Sequence, residues 1–130
     1  MIQEEKQLLL KDLCARLPYG VICRYDTVIP LLGDVLNYGP LQEIKNFGES
    51  FIVNGALCLY ENIKPYLRPM SSMTEEEENE LTSTAVLGGY NNSVFNSFVV
   101  VDWLDKHAFD YRGLIPMGLA LEAPEGMYKF

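Results

Sequence analysis

Residues 21–60 are cut into short β-prone runs by residues that stop a helix from propagating, and this punctuation limits the chain to folds with a β-rich middle. Val21-Ile22-Cys23-Arg24-Tyr25, Val28-Ile29, Val35-Leu36, Phe51-Ile52-Val53 and Leu57-Cys58-Leu59-Tyr60 are separated by Pro30, Gly33, Gly39-Pro40, Gly48 and Asn54-Gly55. Short branched and aromatic runs between such breakers read as an antiparallel meander of four or five strands. Asn54-Gly55 is the sharpest signal in it, because a two-residue type I′ turn needs positive φ at both positions. Its partner strands are expected near 50–53 and 56–60.

Helical periodicity flanks this middle. Over 3–17, Leu10, Leu13, Cys14 and Leu17 recur at i, i+3, i+4 and i+7, with Leu9 beside them and Glu4, Glu5, Lys11 and Arg16 assigned to the wet side. Pro18-Tyr19-Gly20 stops that helix. The two prolines of 64–70 predict an extended crossing segment. Thr74 with Glu77 forms a capping-box pattern, and Glu75–Glu78 suit the positive pole of a second helix over 75–87, with Leu81, Ala85 and Val86 inward and Gly88-Gly89 at its end. Tyr90 to Ser93 read as loop, and a third helix as running from Phe98 to Lys106 around Val100, Val101 and Leu104. The valine triplet also allows a strand in its first part. Leu119-Ala120-Leu121 reads as a last short strand. The fold class is therefore α+β: an N-terminal helix, the meander, and two further helices packed on one face, in a single domain over 1–130.

Composition narrows the function classes. The 130 residues carry 18 Asp and Glu against 10 Lys and Arg, a formal charge of −8, with the basic residues scattered. That average field disfavours a nucleic-acid backbone as partner, while acidic mimicry of nucleic acid would need a stripe of carboxylates at phosphate-like spacing. Cys14, Cys23 and Cys58 are odd in number and form no C-x-x-C pair, and one histidine cannot complete a Cys/His zinc set. Unpaired thiols, an acidic N-terminus without a signal-peptide pattern and no apolar run long enough to span a bilayer point to a cytoplasmic protein with no membrane partner. No Walker, G-x-G-x-x-G or EF-hand spacing is present, so no cofactor or metal is expected.

Three segments together are distinctive: LKDLCARLPYG at 10–20, KPYLRPMSSMT at 64–74 and DWLDKHAFDYRGLI at 102–115, followed by GLALEA at 118–123. In these the chain resembles a family of small proteins encoded by anaerobic gut bacteria and their phages or other mobile elements. The resemblance covers somewhat under half the chain and brings no activity, cofactor or catalytic residue with it. Members commonly show two adjacent histidines where this chain has His107-Ala108, a departure that weakens the case for a paired-histidine metal site.

The one polar cluster is Asp102, Asp105, His107, Asp110, Tyr111 and Arg112. Histidine beside carboxylates suits general-base or metal chemistry, because its pKa lies near neutrality. The same residue types also collect at a helix C-terminus, where Lys106 and His107 face the negative pole, Asp110 caps the next turn and Arg112 pairs with Asp110. Ser71, Ser72 and Thr74 lack a nearby base and read as caps. Cys14, on the apolar face of the first helix, reads as an inert core thiol. Two function classes follow. One is a non-enzymatic protein-binding or accessory module using its eight tyrosines, with another protein or its own copy at a sheet edge as partner and His107, Asp110, Tyr111 and Arg112 as candidate binding residues. The other is a small hydrolase or metal-dependent enzyme using His107 and Asp110.

Overall fold

The computed structural model describes residues 1–29, 33–47, 50–88 and 93–129. The breaks expected at Pro30, Gly48 and Gly89, the inward side chain of Val86 and the loop at Tyr90-Asn91-Asn92 lie outside the described residues. The chain is α+β in the order α1 (Gln3–Arg16), β1 (Ile22–Ile29), β2 (Gly33–Pro40), β3 (Ile44–Phe47), β4 (Ser50–Val53), β5 (Ala56–Leu59), β6 (Ile63–Leu67), α2 (Glu75–Gly88), α3 (Ser93–Lys106) and β7 (Leu121–Glu122). The strands divide into a sheet ordered β2-β1-β6-β7 and a second ordered β3-β4-β5. Every strand pair is antiparallel except β6 with β7.

α1 ends in a 3-10 turn over Leu17–Tyr19 with Pro18 in its first positions, and Gly20 closes it at φ 65°, where a side chain would be strained. The face that α1 buries is Leu9, Asp12, Leu13 and Arg16, not the expected Leu10, Leu13, Cys14 and Leu17. Both sets have i, i+3, i+4, i+7 spacing, and the real one is rotated by one position. Leu10 and Leu17 pack half-buried at its margin, while Cys14 is exposed. Arg16, expected in water, is 0% exposed.

β1 and β2 pair along their full length, from Ile22↔Pro40 to Ile29↔Gly33. The segment 64–70 is extended in its first half, as expected, but as a paired strand: Ile63–Leu67 form β6 and return antiparallel to β1, with Cys23 opposite Pro65. A proline is admitted because β7 joins only at Tyr66, so its missing N–H interrupts no ladder on that side. Alternation along β6 buries Ile63, Pro65 and Leu67 and leaves Lys64 and Tyr66 on the opposite face. The buried face meets Leu9 and Leu13 of α1 together with Val21, Cys23, Leu41, Val53, Cys58 and Leu114. At 25 cal/mol/Å² each such side chain contributes roughly 1.5–3 kcal/mol of burial.

Asn54-Gly55 turns β4 into β5 with φ 50° and 84°. The asparagine does more than adopt that turn: its Oδ1 accepts from Gln42 N (2.8 Å) and Glu43 N (3.0 Å), and its Nδ2 donates to Pro40 O (3.0 Å) and Tyr25 OH (3.3 Å). One side chain thus ties the small sheet to the end of β2. Thr74 and Glu77 form the reciprocal capping box at 3.2 Å in both directions. α3 starts at Ser93, earlier than the valine pattern suggested, and the triplet lies in the helix. A second cluster of Trp103, Leu104 and Phe109 takes Leu81 of α2 against it. β7 covers two residues, and Tyr128 OH pins the tail by donating to Tyr66 O (2.7 Å) and accepting from Ile22 N (2.9 Å).

Asn54→Ala is expected to cost about 2–3 kcal/mol in denaturant unfolding, because it strands several backbone groups and places a Cβ residue without amide partners at positive φ. Thr74→Ala, which loses one exposed cap, is expected to cost about 1 kcal/mol.

Candidate functional site

Of the expected cluster over 102–112, Asp105, Tyr111 and Arg112 come together around partners contributed by α1, while Asp102, His107 and Asp110 have partners elsewhere. Asp12 and Arg16 stand one turn apart on the buried stripe, so the Arg16 Nε reaches both Asp12 oxygens at 3.1 and 3.0 Å. Arg16 Nη2 then donates to Phe109 O at 2.6 Å, across the core. From the other side Arg112 Nη1 donates to Asp12 Oδ1 at 2.7 Å and lies 3.6 Å from Asp105. Tyr111 OH closes the group by donating to Asp105 Oδ1 at 2.7 Å, with both guanidinium groups near its ring.

Arg112 therefore pairs with Asp12 and Asp105, not with Asp110 as expected. Asp110 accepts from Leu114 N (2.8 Å) and Ile115 N (2.9 Å), the cap of the following turn. Its own N–H donates to Arg68 O at 2.9 Å, and Arg68 N donates to Ala108 O at 2.7 Å, which sews the end of α3 to the end of β6. Ala108 accepts φ 61° at this helix end, the left-handed position that glycine usually fills.

His107 is buried at 6% exposure. Its Nδ1 lies 2.9 Å from Trp103 O, and because a carbonyl only accepts, Nδ1 carries the hydrogen. The ring stacks on Trp103 at 3.9 Å between centroids. Its neighbour Phe109 is covered by the Arg68 guanidinium, which also holds both Glu77 oxygens at 2.7 Å. That bidentate pair keeps the Glu77 carboxyl below its ordinary range.

Electrostatically the cluster is a buried ion network. Burial pushes the Asp12 carboxyl up more than Arg16 and Arg112 pull it down. Burial first, and then the hydrogen bond to Asp105, raise the Tyr111 phenol. Asp102 stands apart on the surface, where the Tyr19 hydroxyl donates to it and is pushed up to about 12. Burial likewise pushes the Cys23 and Cys58 thiols up to about 12 and about 11. The exposed thiol is Cys14, which sequence periodicity had put in the core.

His107 and Asp110 are thus turned to different partners. Two surface cavities, of about 420 and 210 Å³, are lined by neither. The larger holds Ser72 and Thr74; Thr74 serves the capping box as expected, whereas Ser72 Oγ donates back to Pro69 O (2.6 Å) and is no N-cap. Among the described residues no three His, Cys, Asp or Glu side chains converge to hold a metal ion, and no helix is long and apolar enough to cross a membrane. The residues that sequence reasoning missed are Asp12 and Arg16. Their one signal was an opposite-charge i, i+4 pair on the same stripe as Leu9 and Leu13. Comparison with protein-family models, with curated proteins and with solved structures finds no match to this chain.

Arg16→Met is expected to destabilise by roughly 3 kcal/mol, since it leaves Asp12 and the Phe109 carbonyl buried with fewer partners. Asp12→Leu combined with Arg16→Met should recover part of that loss. Chemical denaturation of wild type, Arg16→Met, Asp12→Leu and the double variant measures both, and a double variant that loses as much stability as the two single losses summed would contradict the coupling.

Proposed function

We propose that this chain is a non-enzymatic protein-binding or accessory module of the cytoplasm, whose partner is another protein or a second copy engaging the β2 side of the four-stranded sheet. The observation that carries the reading is the exposure of apolar side chains on β2, Leu36 at 43% and Tyr38 at 60%, on the end strand of the sheet order. No described strand pairs with the outer edge of β2, and an edge of eight residues bounded by exposed apolar groups is a template for a further strand or a covering surface.

The polar cluster supports the same reading by elimination. His107, Asp110, Tyr111 and Arg112 have internal partners, so they serve the surface by holding the scaffold rigid. A hydrolase or metal-dependent site on His107 and Asp110 is disfavoured by their separate partners. Helices gathered on one face of the sheet, the arrangement the sequence suggests, belong to this reading because they leave the other face open. Nucleic acid is disfavoured by the charge of −8.

Size-exclusion light scattering over a concentration series, paired with capture from a lysate, tests the proposal. Wild-type protein is expected to self-associate or to retain a partner that Tyr38→Glu loses. A strict monomer that retains nothing would contradict it.

A further inference from the structure

The strand register assembles a patch on the outer face of the sheet that is invisible along the chain. Arg24 stands opposite Tyr38 on one side and opposite Lys64 on the other, so the three form one row across β2, β1 and β6. Side chains two residues apart on a strand share a face, which adds Leu36, Asp26 and Tyr66. The other face carries the buried Cys23, Ile63, Pro65 and Leu67, so this one points outward. Tyr38 and Tyr66 stack at 6.3 Å between centroids.

Two cations directly opposite each other on neighbouring strands repel, an arrangement that weakens a sheet unless an anion joins it. By contrast, Arg16, Arg68 and Arg112 each pair with a carboxylate. Arg24 and Lys64 form no ion pair among the described residues, although Asp26 and Glu61 line the same depression of about 210 Å³. The row centre is cationic and flanked by aromatic rings, with the two carboxylates to one side. Taken whole, the patch carries two positive and two negative groups. A polyanion needs a track of several cations and gains little here. One carboxylate between two donors, by contrast, makes charge-assisted hydrogen bonds at a point, and the flanking rings offer apolar contact of the kind enriched at protein interfaces. The molecule's overall negative field is screened beyond about 8 Å at physiological salt, so the local pair decides.

We propose that this face binds a protein segment that seats a single carboxylate between Arg24 and Lys64 and lays an apolar side chain on Leu36 and Tyr38. The inference rests on the protein-binding reading and specifies the chemistry of the partner.

The test is selection of a displayed random twelve-residue peptide library on the full-length wild-type protein, followed by titration of the enriched peptides as free synthetic probes. Arg24→Glu/Lys64→Glu, the milder Arg24→Gln/Lys64→Gln, Tyr38→Ala and a ten-residue oligothymidine complete the panel, with circular dichroism confirming that each variant folds. The expected result is enrichment of Asp or Glu beside Phe, Leu or Trp, binding at least tenfold weaker to both charge variants and to Tyr38→Ala, and no binding of the oligonucleotide. Replacing the peptide's acid by its amide should reproduce the loss. Enriched peptides without an acidic residue, or equally strong on the charge variants, would overturn this inference and leave the protein-binding reading standing. Oligothymidine bound in place of peptides, or no peptide enriched at all, would overturn the inference and count against the reading itself.

Discussion

The guanidinium of Arg16 organises this molecule from inside the core. It leaves α1, meets Asp12 one turn back, and spends its far nitrogen on the carbonyl of Phe109, 93 residues away. Phe109 belongs to the strand-like bridge with Arg68, and Arg68 continues β6. Through that carbonyl the first helix, the end of the third and the inner strand of the sheet share one junction. The arrangement carries a real desolvation cost, since Asp12 is driven upward by burial and Arg16 Nη1 is buried without a hydrogen-bond partner among the described residues. Such a network holds geometry more than it adds stability: exchanging it for apolar groups can be neutral, whereas breaking it in half is expensive.

This junction decides how the polar segment is to be understood. Asp105 and Arg112 answer the charges of α1, Asp110 caps a turn, and His107 stacks on Trp103 with its Nδ1 hydrogen committed to a carbonyl. Each of these side chains has a partner inside the fold. The outer face of the sheet differs: there Arg24 stands opposite Lys64, neither forms an ion pair among the described residues, and Tyr38 stands exposed. Phe98, 70% exposed on α3, marks a second apolar point on the surface.

What could be read from the sequence was local chemistry. The Thr74–Glu77 box and the Asn54-Gly55 turn each depend on a few adjacent residues, and both formed as written. The α+β class followed from the same punctuation. Arg16 could not be read in this way, because charge alone assigns an arginine to water and only the arrival of Phe109 and Asp12 makes its burial tolerable. The inward stripe of α1 went astray for a related reason: Leu10 and Leu17 match helical spacing as well as Leu9 and Leu13 do, and only the tertiary charge pair breaks the tie. β6 was hidden by Pro65, whose place in the sheet depends on where a two-residue strand from the C-terminal end begins. The Arg24–Lys64 row exists only through strand register, 40 positions apart in the chain.

The central claim is that α1 and the 105–115 segment form one cooperative unit locked by Arg16. Native-state amide hydrogen exchange tests it most directly, at the donors that bind this junction: Arg68, Asp110, Leu114 and Ile115. The account predicts that these amides exchange only through global unfolding, at the same free energy as the buried turns of α1, and that Arg16→Met lowers all of them together. Exchange of the 105–115 amides through a local opening that leaves α1 protected would contradict it.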